Sequence, residues 1–260
     1  MSEPLSSHLE PQDEDRPVTW GDLIDWVRAL AVQVRDAGND PRLIAVALAL
    51  ILVVGAALRF TGFDWDEGQH LHPDERFLTM VENCLTWPKT LGEYLDSSVN
   101  PLSPYNHEYG TYVYGLFPVV MTKFVGQLVG KTGYDGIYLV GRAMNGGLDL
   151  LCILLVFFLG KRLYDPRVGL LGAFLLSVTV LNIQQAHYFT VDTSTALCAT
   201  LALYFAVRVA QGERWGSVVG LGVTFGLAVA AKISVLSFLL IIGLAYLLRL
   251  FARPGAIGKA

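Results

Sequence analysis

From Leu43 to Leu58 the chain carries no polar side chain at all, and Arg42 and Arg59 close the run at either end. A stretch of this length and purity is stable in water only if another protein surface covers it, whereas in a bilayer it satisfies its backbone internally as a helix. Further apolar stretches follow at Tyr109 to Thr122, Tyr138 to Gly160, Val168 to Val191, Thr193 to Val207, Trp215 to Ala231 and Ile233 to Leu248. With 53% hydrophobic and only 16% charged residues in 260, most soluble architectures are excluded. The fold class is therefore all-α, a polytopic helical membrane protein. A net charge of -4 argues against a nucleic-acid partner. Cys84, Cys152 and Cys198 have no paired spacing and support neither a disulfide framework nor a metal site.

The number of spans decides which face carries the polar chemistry. If Tyr109 to Thr122 crosses, eight basic residues from Lys161 to Lys259 fall outside, against the inward bias of Lys and Arg. The stretch is short, contains Pro118 and meets Lys123, so it reads instead as an interfacial helix. Six spans remain, with both termini cytoplasmic. Residues 1–41 are expected to be a cytoplasmic segment without a cleavable signal peptide, in which Asp22 to Asp36 forms an amphipathic surface helix. Residues 42–250 form the membrane module, and 251–260 a cytoplasmic tail. Arg42 and Arg59 read as flanking anchors.

In this topology the first outer loop, 61–137, holds ten acidic residues against four basic ones, together with His70, His72 and His107. His187 lies in the next outer loop. Titratable groups gathered over a bundle suit a site beside a membrane, although a solvated acidic loop would look the same. The densest piece is Gln69 to Arg76. Pro73 suits the first helical position and Asp74 and Glu75 the first turn, where the dipole favours carboxylates. Capping alone would account for both acids but not for His70 and His72 beside them. Gln184, Gln185, His187, Tyr188 and Asp192 form a second group, in which Asp192 could simply cap the following helix. Arg142, Asp149 and Lys232 lie within the apolar stretches, where charges need partners or a pathway. Arg142 and Asp149 are two turns apart and are expected to meet third groups rather than each other. Lys232 could snorkel to the interface.

A first span, an outer loop with a His-Pro-Asp-Glu helix start at His72 to Glu75, an Arg-bearing second span (VGRAMNGGLDLLCILLVFFLGKRLYD), an Asp before the fourth (HYFTVDT) and a Gly-rich span ending in Lys (GLGVTFGLAVAAKISVL) together resemble the polyprenyl-phosphate-dependent glycosyltransferases of the GT-C class. The nearest group is glycosyltransferase family 39, the protein O-mannosyltransferase and aminoarabinose-transferase type. The resemblance covers about Arg42 to Leu250. It implies transfer of a sugar from a polyprenyl-phosphate donor to a protein or lipid acceptor, on the extracytoplasmic face of the plasma membrane. Asp74 would be the catalytic base and Glu75 its support. His72, Arg76, His107, Glu108, Arg142, His187, Asp192 and Lys232 would line the substrate site, with Arg142 and Lys232 serving structure or the lipid phosphate. The loop reads Tyr105-Asn106-His107-Glu108-Tyr109 where relatives carry a basic residue. Relatives also continue beyond six spans, so a truncated core module is one expectation. A divalent metal (Mn or Mg, with Zn also suited to such ligands) could bind among His70, His72, Asp74, Glu75 and His187. Two rival classes are a non-catalytic membrane scaffold and, with few polar groups at the midplane, a transporter.

Overall fold

The structure is a computed structural model that describes residues 20–21, 23–28, 40–213 and 215–251. Residues 20–21 and 23–28 are helical, while the rest of the expected amphipathic helix and the tail 252–260 lie outside the described residues. From residue 40 onward the helices are α1 (Pro41–Phe60), α2 (Pro73–Cys84), α3 (Leu91–Leu95), α4 (Phe117–Leu128), α5 (Tyr134–Leu163), α6 (Pro166–Ser177), α7 (Val180–Ala186), α8 (Asp192–Ala210), α9 (Trp215–Ala231) and α10 (Leu239–Phe251). Short 3-10 turns occupy Pro104–His107 and Ile233–Phe238. Among the described residues there is no strand.

Among the described residues, four helices are long and apolar enough to cross a bilayer: α1, α5, α8, and the continuous helical stretch Ile233–Phe251 that ends in α10. Helix α9, at 17 residues, rises about 25 Å, near the thickness of a hydrocarbon core. The expected span Val168 to Val191 is corrected: it is not one helix but the pair α6 and α7, bent by 60°. The bend exposes the last carbonyls of α6, which a helix end must satisfy elsewhere. Arg59 satisfies them. Its Nη1 donates to the Ser177 carbonyl at 2.8 Å and its Nη2 to that of Leu176 at 3.2 Å, while Nε meets Asp149 Oδ2 at 2.5 Å. Asp149 Oδ1 in turn accepts from the Asn182 side chain at 3.0 Å, on the far side of the break. Arg59 is therefore no interfacial anchor; it is fully buried.

The helix ends sort into two poles. At the basic pole the C-termini of α5, α8 and α10 meet the start of α9, where Arg162 and Arg208 both pair with Glu213 and Arg249 reaches its carbonyl at 3.0 Å. At the acidic pole stand the N-termini of α5 and α8, the C-termini of α1 and α9, and the whole of residues 61–133. Helix α4 has both ends there: Gly115, just before it, donates its N–H to the Ala231 carbonyl at the end of α9 (2.9 Å), and Gly126 accepts from Lys131 (2.8 Å) beside the start of α5. Its twelve residues are pinned at both ends to one pole and do not pass between the poles; of the expected interfacial stretch Tyr109 to Thr122 only the part from Phe117 is in this helix, which runs on to Leu128.

The candidate active site at the acidic pole

The site is built on one face of α5. Tyr138, Arg142, Asn145 and Asp149 recur at intervals of four and three, and all four are buried, so a single helical stripe organises the loops above it. The Tyr138 hydroxyl donates to Asp64 at 3.0 Å. The Asn145 amide holds the carbonyls of Tyr188 and Thr190 at 2.7 and 3.0 Å. Each interaction ties a different loop segment to the same helix.

Arg142 joins the segment around Asp64 to the start of α2. Its Nε and Nη2 grip the two oxygens of Glu75 at 2.8 and 2.5 Å, Nη2 also meets Asp66 at 2.9 Å, and Nη1 donates to the Phe63 carbonyl at 3.0 Å. The guanidinium lies over the rings of Tyr138 and Trp65, 4.8 and 5.6 Å from their centroids. Burial alone would raise the Asp66 carboxyl, but the hydrogen bonds from Arg142 and the Leu71 N–H outweigh it and hold the group below its usual range. With 1% of its surface exposed and four of its five N–H donors bonded within the protein, Arg142 anchors the loop.

Glu75 is equally spent. It is fully buried, and its Oε2 accepts a further bond from the Phe189 N–H at 2.7 Å. Gly141 makes that approach possible, because a Cβ there would overlap the Phe189 ring. Helix α2 begins as the sequence predicts, with Pro73 at its first position; the cap is His72, whose Nδ1 accepts from the Glu75 N–H at 3.3 Å. The His72 ring stacks on Tyr188, with centroids 4.1 Å apart.

Asp74 occupies the position before Glu75 and is only partly buried. The Tyr114 hydroxyl interacts with its carboxylate, and the phenol is pushed up to about 12 by burial first and then by the negative charges of Asp74 and Asp192. Asp192 completes this open face. It starts α8 without capping it, and instead accepts from Lys232 Nζ at 2.6 Å. Lys232 thus bridges the break between α9 and the following 3-10 turn to the start of α8, and does not snorkel outward. Gly115 lies so close to the Ala230 carbonyl that any side chain there would overlap it. That contact places Tyr114, the preceding residue, beside the end of α9.

From Tyr114 a groove of about 1080 Å³ opens between the outer loop, α4 and the end of α9. Its walls are mostly apolar and aromatic, with Trp87, Tyr105, Phe117, Phe124 and Val229 among them. Its volume and apolar lining suit a flexible hydrocarbon or aromatic ligand rather than a small ion.

The other residues expected at the site have surroundings of their own. His187 is tied through both ring nitrogens, to the Ile183 carbonyl at 2.7 Å and that of Thr61 at 3.0 Å. His107 bonds the Pro101 carbonyl at 2.9 Å. Glu108 and Arg76 are exposed, Glu108 in a left-handed conformation that closes the 3-10 turn. His70 is buried between Tyr134 and Tyr138. The five residues that could have shared a divalent metal therefore do not form a ligand set. Among the described residues no three His, Cys, Asp or Glu side chains converge for an ion. Three important residues, Asp66, Tyr114 and Phe189, carry no signal of their own in the sequence, and Arg59 reads there only as a flanking anchor. Each is defined by a partner far away in the chain, and no local pattern marks it.

No curated protein and no solved structure matches the chain. Residues 117–255 match the dolichyl-phosphate-mannose-protein mannosyltransferase family. The match takes in α4 to α10, with Arg142, Asp192 and Lys232, and stops short of Asp74. Since it covers more than half of the sequence, the chain belongs to the dolichyl-phosphate-mannose-protein mannosyltransferase family and is a membrane glycosyltransferase of mannosyltransferase-like type.

Proposed function

We propose that the chain transfers a sugar from a polyprenyl-phosphate donor to a protein or lipid hydroxyl, with the reacting groups at the acidic pole on the extracytoplasmic face. The observation that carries this reading is the placement of Asp74: its carboxylate stands beside Tyr114, and Tyr114 walls the apolar groove. A donor with its tail along that groove would present its phosphate and sugar to Asp74, Asp192 and Lys232. Sidedness rests on the distribution of charge, since the arginine-rich pole favours the cytoplasm.

In this reading the Asp74 carboxylate takes the proton from the acceptor hydroxyl as that oxygen attacks the anomeric carbon. The bond from that carbon to the phosphate oxygen breaks, and its electron pair leaves on the lipid phosphate. Glu75 is a poor candidate for the base, because its two oxygens already accept three hydrogen bonds. Lys232 uses one donor on Asp192, which leaves ammonium protons to meet the departing phosphate.

Narrowing the groove tests the donor's path. Met121→Trp, on the groove wall, should raise KM for a long-chain polyprenyl-phosphate sugar by about tenfold or more, the equivalent of roughly 1.4 kcal/mol of lost binding, while leaving kcat for a short-chain donor near the parent value. An unchanged KM for the long-chain donor would remove the groove from the mechanism.

A further inference from the structure

At the basic pole α9 and α10 both pack on α8 but scarcely on each other. The cleft between them has a volume of about 620 Å³ and is lined by Trp215, Val218, Tyr246 and Arg249. Trp215 and Tyr246 are exposed, at the depth where such rings meet lipid headgroups. Arg249 stands at the mouth, holding the Glu213 carbonyl through one nitrogen.

The charge of that pole is poorly balanced. The Glu213 carboxylate accepts from Arg162, from Arg208 at 2.7 Å and from the Ser217 hydroxyl at 3.1 Å, and this network holds it below the ordinary range despite the opposing effect of burial. It has nothing to spare for Arg249, which forms no ion pair among the described residues. Two arginines thus share one carboxylate while Arg249 holds only the Glu213 backbone carbonyl, an excess of two positive charges among these four side chains beside an apolar cleft.

We propose that this cleft binds one anionic phospholipid, with its headgroup phosphate on Arg249 and the start of an acyl chain against Val218 and Tyr246. Charge selects the ligand: a basic pocket between helices at a membrane surface recruits anionic headgroups, and a zwitterionic lipid gains much less. Shape selects a lipid over free phosphate, because three of the four lining residues are apolar or aromatic and would stay uncovered by an inorganic ion. The bound lipid would brace the α8–α9–α10 corner, whose opposite end positions Lys232. This proposal is independent of the reaction assigned to the acidic pole.

Native mass spectrometry of the full chain, loaded with phosphatidylglycerol or phosphatidylcholine, tests it. One phosphatidylglycerol should be retained preferentially, and Arg249→Gln should weaken that retention by at least about fivefold, near the contribution of one basic residue at a charged membrane surface. Lys161→Gln, which removes an exposed charge outside the cleft, should leave it unchanged. Val218→Trp fills the cleft with every charge intact, and should also abolish retention. Equal retention of phosphatidylcholine, an equal loss in Lys161→Gln, or full retention in Val218→Trp would each overturn the proposal.

Discussion

Arg142 and Glu75 lie 67 positions apart and form a bidentate pair with no side-chain surface exposed on either partner. The pair locks the start of α2 onto α5, and it leaves Asp74, the preceding residue, free on the open side. Breaking one partner of a buried pair leaves an uncompensated charge, which typically costs about 3–5 kcal/mol. Arg142→Met should therefore unfold at markedly lower temperature or denaturant than the parent, because Glu75 and Asp66 would both lose their counter-charge. Glu75→Gln keeps shape and an acceptor, and should cost clearly less. Unfolding of both variants in the same detergent checks this order.

Gly141→Ala tests how tightly the loop around Phe189 is held. The added methyl group would overlap a ring that is 1% exposed, and overpacking of that kind costs about 1–3 kcal/mol. The backbone N–H of the same residue bonds Glu75, so the variant should lose transfer activity along with stability. Gly147→Ala, on the same helix with open space at its Cβ, is the control and should change little.

Two carboxylates of the outer loop should titrate stability in opposite directions. Glu82 is raised from 4.5 chiefly by burial, against the opposing charge of Lys123. Its stabilising contribution is therefore complete below about 4.5 and is lost as pH rises through the higher folded value. Asp66 is lowered from 3.8, so its contribution is present above that value and is lost as pH falls through the lower folded one. Glu82→Gln should remove the alkaline-side loss and flatten the stability profile above about pH 4.5, which a pH series of unfolding measurements would detect.

Topology is tested by labelling. Cysteines introduced at Asp165, between α5 and α6, and at Gln185, near the end of α7, should react from opposite sides. Asp165→Cys should be reached from the cytoplasm and Gln185→Cys from outside; the reverse pattern would place the acidic pole in the cytoplasm.

Local signals carried the parts of this molecule that are decided locally. Pro73 and the two acids after it set the start of α2, and Pro118 sits in the first turn of the short helix α4, because both signals are local. The break at Val178 and Thr179 was hidden. An apolar run reads the same whether it is straight or bent, and the group that satisfies the bend, Arg59, comes from α1 and looked like an ordinary flanking anchor. The order of the chemistry at the site was hidden for the same reason. Asp74 and Glu75 are neighbours with equal claims in the sequence, and only the distant Arg142 and Phe189 separate a buried, saturated carboxylate from an open one. Tyr114 lies in a loop with no periodicity, and its closeness to Asp74 depends on Gly115 resting against Ala230 and Ala231.

The central claim is that Asp74 activates the acceptor, and donor turnover by Asp74→Asn in reconstituted membranes tests it most directly. Asn keeps the shape and loses the base, and removing a general base typically lowers the rate by about 10² to 10⁴. The account predicts a folded, inserted protein that still binds the polyprenyl-phosphate sugar and transfers it at least about a hundredfold more slowly. Transfer at the parent rate by Asp74→Asn, with transfer abolished in Asp192→Asn, would contradict it and move the base to the start of α8.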